Sequence, residues 1–293
     1  MTQNQTSTQA VETEVNGSTN SVFYLLVLSL VAALGGLLFG YDTAVISGAI
    51  GFLRSKFELG SIMTGWAASS ALVGCIFGAM FAGILSDAFG RKKVLLLSAV
   101  CFFISAVWSS SPFGLFDFVI ARILGGLGVG AASMLSPMYI AEIAPAKFRG
   151  RLVSVNQFAI ISGMLVVYFV NSIIASQGNE QWNINFGWRW MFGSEAVPAL
   201  IFFILLLFVP ESPRWLIEKK DDQKAFEILK RVGGKLQAQK EFDEIKNTIA
   251  RESSSFVQLF KPGIRVALII GVVLAVLQQI TGINIVLYYA PEI

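Results

Sequence analysis

Long runs without a charged side chain recur at residues 22–41, 59–86, 94–116, 123–141, 152–179 and 266–291. A bilayer's hydrocarbon core needs about 20 predominantly apolar residues of helix, so each run is predicted to cross it. A shorter run at 196–210 reaches that length when residues 190–195 are added, which brings Glu195 inside it. Seven spans result, all predicted helical, because a backbone in hydrocarbon must pair its own N–H and C=O groups.

The polar stretch between the sixth and seventh spans has a different pattern. Asp221 or Asp222 is a candidate cap, followed by Ala225, Ile228, Leu229 and Val232 at helical spacing and by Gly233 and Gly234 as a stop. Phe242, Ile245 and Ile249 form a second such stripe. Two or three short amphipathic helices under the membrane bundle are predicted here. The first 21 residues, rich in Thr, Gln, Asn and Ser and without Lys or Arg, read as a disordered tail rather than a signal peptide.

Composition agrees with a membrane protein: 55% of residues are hydrophobic, 14% are charged, and mean hydropathy is +0.67. Eighteen Lys and Arg follow the second, fourth and sixth spans, against Arg54, Lys56 and Arg189 on the other side. Basic loops stay cytoplasmic, so the N-terminus is expected there. The net charge of +3 then reflects topology and calls for no nucleic-acid partner. Cys75 and Cys101 sit within apolar spans as small fillers, and neither supports a disulfide framework or a metal site. The chain has no His, so proton handling falls to carboxylates. No phosphate loop or nucleophile elbow accompanies them, which argues against an enzyme.

Ionisable residues within spans are costly and functional by default. Asp42 is expected at the end of the first span, Arg122 at the start of the fourth, and Glu195 in the sixth, all toward the non-cytoplasmic side. Two carboxyls around one permanently charged guanidinium are an unbalanced set. Arg122 neutralises one of them, and the other is free to load and unload a proton. A static Asp42–Arg122 pair at the water interface is the alternative.

Glycines in the first span (Gly35, Gly36, Gly40), the fourth (Gly125, Gly126, Gly128, Gly130) and the seventh (Gly271, Gly282) suggest a weak three-span repeat. Gly-interrupted helices in repeated units point to a substrate path, although tight helix packing has the same signature. The seventh span also carries Gln278, Gln279, Asn284, Tyr288 and Tyr289. Their amides and hydroxyls both donate and accept hydrogen bonds, as a polyhydroxylated ligand needs. On an ideal helix Gln278 and Asn284 face different directions, and a break at Thr281–Gly282 would bring them together. Gln157 and the ring of Phe39 could complete such a site.

"GILSDAFGRKK" (83–93) resembles the cytoplasmic signature of the major facilitator superfamily. "PMYIAEIAPAKFRGRL" (137–152), "GWRWMF" (187–192), "PESPRWL" (210–216) and "QQITGINIVLYYAPEI" (278–293) are similar to its sugar porter family. Closest in flavour are bacterial proton-coupled symporters such as the xylose transporters. The resemblance implies an all-α polytopic membrane protein of the cell (inner) membrane, working as a monomer and without a cofactor. It implies a six-helix transmembrane half at 22–210, a cytoplasmic helical segment at 211–262, and a seventh transmembrane helix at 263–293 that opens a second half.

By the same resemblance, Asp87, Arg91, Glu142, Arg149, Glu211 and Arg214 form a cytoplasmic charge network that latches the outward-facing state. Phe39, Gln157, Gln278, Gln279, Asn284 and Tyr288 contact a monosaccharide, while Asp42 carries the proton beside Arg122 and Glu195. Met164 stands where the xylose transporters are expected to be polar, which leaves pentose or hexose open. The family has twelve spans, so these 293 residues alone are expected not to transport. Facilitated uniport, and sugar sensing without transport, are the alternative functions.

Overall fold

Apolar surface faces outward and polar groups face inward, the reverse of a water-soluble bundle. Ile62, Ile76, Ile84, Phe158, Phe169, Val197 and Phe208 are among many large hydrophobic side chains on the exterior. Asp42, Arg122, Glu195, Asn156 and Asn171 are buried. Such a surface is stable only against hydrocarbon. The computed structural model describes the backbone of residues 2–251 and 262–289, and the side chains of 21–250, 265–283 and 285–288.

Among the described residues, six helices are long and apolar enough to span a membrane: Ser21–Lys56, Ser61–Phe89, Arg91–Ser110, Leu115–Ile143, Ala146–Ala175 and Glu180–Phe208. The first is the apolar part of α1 (Thr2–Lys56), and the next four are α2 to α5 in order. The sixth is composite. It comprises α6 (Glu180–Trp182), a π-helical turn (Asn183–Gly187), α7 (Trp188–Gly193), a two-residue turn at Ser194 and Glu195, and α8 (Ala196–Phe208). Among the described residues no strand occurs.

Several helix ends differ from the sequence expectation. Helix α1 continues past Asp42 to Lys56, because residues 43–53 are apolar and proline-free, so Asp42 lies in mid-helix. Helix α4 begins at Leu115, which sets Arg122 about two turns inside it. Helix α3 stops at Ser110, since Pro112 disfavours helical backbone at the residue before it. At its other end α1 is helical from Thr2, across the residues expected as a tail; no proline interrupts it.

After α8 the chain leaves the bundle through α9 (Pro213–Glu218), whose cap Ser212 accepts from the backbone N–H of Trp215 and whose first residue is proline. Helix α10 (Asp222–Arg251) follows, with Asp221 as the residue that caps it. Its carboxylate also accepts from Lys224 Nζ at 2.7 Å, and this bond holds the Asp221 carboxyl below its usual range. Gly234 at φ 76° breaks α10 where the glycine pair predicts a stop. Leu216, Ile217 and Ala225 form a small core that Ile228, Phe242, Ile245 and Ile249 complete, so the predicted stripes meet. Ser21 Oγ donates to the carbonyl of Val232, which ties this layer to α1.

The predicted break at Thr281–Gly282 is present. Helix α11 (Pro262–Ile280) ends there, Gly282 has φ 72°, and α12 (Ile283–Tyr289) starts anew.

Candidate functional site

Helices α1, α4 and the α7–α8 turn bring Asp42, Arg122 and Glu195 together at the bundle centre, with 2%, 2% and 1% of their surfaces exposed. Arg122 Nη1 donates to Asp42 Oδ1, and Nη2 donates to the Asp42 carbonyl at 3.2 Å. The Glu195 carboxyl lies within hydrogen-bonding reach of that of Asp42. The Phe192 ring closes one side, 5.4 Å from the guanidinium carbon, within an edge-to-face cluster of Phe118, Trp188 and Phe192. A position for the pair at the water interface is therefore excluded. Charge marked the end of an uncharged run, but the helix did not end with it.

Two buried atoms of this set, Arg122 Nε and Glu195 Oε1, have no hydrogen-bond partner among the described residues. Each such atom costs about 1–3 kcal/mol, so the set is held at a cost to stability.

Tyr41 and Ser194, the chain neighbours of Asp42 and Glu195, join hydroxyls at 2.7 Å. This bond pins α1 to the turn that carries Glu195, and sequence reasoning did not find it. Tyr41→Phe is expected to lower stability by about 1 kcal/mol, read as a small drop in the thermal unfolding midpoint in detergent.

The glycines of α1 and α4 serve close packing. A Cβ on Gly40 would lie 1.9 Å from the Ile160 carbonyl oxygen, and one on Gly126 would lie 2.0 Å from that of Ala71. Gly125 differs, because its Cβ would come 3.7 Å from Asp42 Oδ1 and 2.4 Å from Ser105 Oγ. It leaves room for the charge site.

The expected sugar contacts are less assembled. Phe39 is half-buried on α1, whereas Gln157 on α5 and Gln278 and Gln279 on α11 are exposed. No described contact joins Gln157 to Gln278, and the Asn284 side chain lies outside the described residues. Tyr288 on α12 packs against the cluster that holds Tyr41, Met164 and Tyr168, and Tyr168 donates to the Leu287 carbonyl at 3.1 Å. It is near enough to Arg122 and Asp42 to interact with both electrostatically. Met164 is thus part of an apolar wall beside the charge site.

At the opposite end of α3, four of the six expected network charges converge. Buried Arg91 pairs with Glu142 at 3.1 Å and with Asp87 at 3.1 Å. Glu211 Oε1 accepts from the backbone N–H groups of Arg91 at 2.9 Å and Lys92 at 3.1 Å, so a residue after α8 caps the start of α3. Ser212 Oγ donates to Glu142 and completes the link. Arg214 pairs with Glu218 at 3.5 Å along α9. Arg149 is exposed on the first turn of α5, and none of the described contacts joins it to the cluster. Gly90 carries the connection at φ 101°, where a Cβ would meet Glu211 Oε2 at 2.2 Å. Glu211→Ala should destabilise the fold by about 1–2 kcal/mol, with Glu211→Gln losing less, in the same unfolding measurement.

The sugar (and other) transporter family profile matches residues 28–293. The chain belongs to the sugar transporter family. It is 46% identical to the arabinose-proton symporter of Bacillus subtilis, over 94% of this chain and 59% of that protein. It is also 46% identical to the D-xylose-proton symporter of Escherichia coli K12, over 92% of this chain and 60% of that one. The solved structure of the proton:xylose symporter XylE bound to 6-bromo-6-deoxy-D-glucose matches with a TM-score of 0.82 at 46% identity, over 92% of this chain and 62% of that one. The chain thus spans about 60% of the length of the curated relatives it matches. This membership agrees with the sequence resemblance and with a transporter rather than an enzyme.

Proposed function

We propose that the protein takes up a monosaccharide, pentose or hexose, together with a proton by alternating access. The observation that carries this reading is the buried triad. Two carboxyls can share a hydrogen bond only when one is protonated, and Asp42 and Glu195 face each other beside a single guanidinium. Protonated, the triad is neutral; deprotonated, it holds one uncompensated negative charge in a low-dielectric interior. That difference couples proton occupancy to conformation.

Asp42 is the proton carrier in this scheme, with Arg122 and Glu195 as partners. Phe39, Gln157, Gln278, Gln279, Asn284 and Tyr288 take the sugar, and the proximity of Tyr288 to Arg122 and Asp42 connects sugar contact to the charge set. The charges Asp87, Arg91, Glu142, Arg149, Glu211 and Arg214 latch the cytoplasmic side. The protein works as a monomer in the bacterial inner membrane, N-terminus inside, in agreement with the basic loops and with relatives named for arabinose-proton and xylose-proton symport.

The test is sugar-induced proton uptake into vesicles holding the chain completed to the length of these relatives, read with a pH-sensitive dye over pentoses and hexoses. Alkalinisation outside the vesicles with one sugar is the expected result. Sugar entry without proton movement would make the protein a uniporter.

A further inference from the structure

Arg189 and Trp190 of the motif at residues 187–192 are not used by the transport scheme, yet they line a sizeable cavity of the bundle. This space, about 810 Å³, lies where α3 and α5 end and the composite sixth span begins. Its walls include Val107, Ser110, Ile174, Trp182, Arg189 and Trp190, and its accessible surface is almost wholly apolar. Trp190, on its wall, is 65% exposed. Tryptophans at this depth mark the membrane–water interface.

Arg189 is the one cation of this wall. Its Nη1 donates to the Ser110 carbonyl at 3.2 Å, and its guanidinium carbon lies 4.7 Å from the Trp188 ring centre. Among the described residues no carboxylate lies within ion-pair distance of it. The remaining guanidinium N–H groups can bind an anion, for which planar, paired donors suit a phosphate. A sugar would need many polar partners, and these walls offer few. A neutral lipid would satisfy the walls and leave the charge unmatched.

We infer that this cavity binds an anionic phospholipid, with an acyl chain between Val107, Ile174 and Val197 and the headgroup phosphate on Arg189. The site sits at the bundle end opposite the Arg91–Glu142 cluster, so it belongs to the non-cytoplasmic leaflet in the orientation proposed above.

The test uses this chain in neutral vesicles containing small amounts of acyl-brominated phosphatidylglycerol or phosphatidylethanolamine. Bromine quenches nearby tryptophan, and the part due to Trp190 is the difference from Trp190→Phe, which keeps the wall apolar. Half-quenching should need about fivefold less phosphatidylglycerol than phosphatidylethanolamine, as expected for one basic residue at the membrane surface. Arg189→Gln should merge the two curves, and Arg189→Lys should keep most of the separation. Added salt should also bring the curves together in the unaltered chain, a readout that needs no variant. Coincident curves in the unaltered chain, or a preference that survives Arg189→Gln, would overturn the assignment.

Discussion

Asp42→Asn is expected to abolish sugar-driven proton uptake while sparing sugar exchange across the membrane. The amide keeps the shape of the carboxyl, and Arg122 keeps its 3.2 Å bond to the backbone carbonyl of residue 42. The set changes from two acids and one base to one of each. With Glu195 as the remaining counter-charge of Arg122, no group has to gain or lose a proton for the interior to be neutral. The dye signal should fall to background, and counterflow of labelled sugar should persist. Accumulation that survives the substitution would move the proton elsewhere, and loss of both activities would make Asp42 a structural partner only. Arg122→Ala is the contrasting change. It leaves two facing carboxyls without their cation, and a broken buried pair costs about 3–5 kcal/mol, so thermal unfolding in detergent should separate it clearly from Asp42→Asn.

The three members of this triad were legible in the sequence for one reason. In a chain whose apolar runs are so long, the only charges inside them stand out, and hydrocarbon leaves them no partners but each other. Their depth was not legible. A charge at the end of an apolar run predicts the limit of a span, whereas α1 runs 14 residues beyond Asp42 because a buried, paired carboxylate no longer opposes helix in the membrane. The break at Gly282 could be foreseen because a glycine beside a threonine offers both the conformation and the polar end that a broken helix needs.

Contacts made across great distances in the chain were harder to foresee. Glu211 caps a helix that begins 120 residues earlier, and Tyr41 meets Ser194 over 153 residues. Neither has a local spacing to betray it. Only the resemblance joins the charges of "GILSDAFGRKK" and "PESPRWL" in one network, and the packing of α3 against both α4 and α8 is what puts Arg91, Glu142 and Glu211 in reach of one another. The amides of α11 show the opposite limit. Gln278 and Gln279 have the right chemistry for a sugar, but their helix is exposed nearly all round, so chemistry alone does not assemble the site.

Gly126→Ala should be among the most damaging single-methyl additions in the bundle. Helices α2 and α4 pack through Gly74, Gly78, Gly126 and Gly130, each facing backbone rather than side chain. Added Cβ atoms there would lie 2.0 Å from the Ile123 oxygen, 2.3 Å from that of Leu127, 2.0 Å from that of Ala71 and 2.2 Å from that of Cys75. A side chain can rotate away from such a contact, but a helix carbonyl cannot, so the helices must separate and lose packing along their whole crossing. In hydrocarbon no hydrophobic force compensates, since lipid is as apolar as the core. A loss of about 1–3 kcal/mol is expected in detergent unfolding. Gly65→Ala, in the same helix α2 with nothing within 4 Å of its Cβ, should instead gain about 0.5–1 kcal/mol by restricting the unfolded chain. Opposite signs for one chemical change on one pair of helices are a strict demand. If both substitutions stabilise, α2 and α4 do not cross this closely, and the bundle lacks the rigidity that the proposed rocking as one body requires.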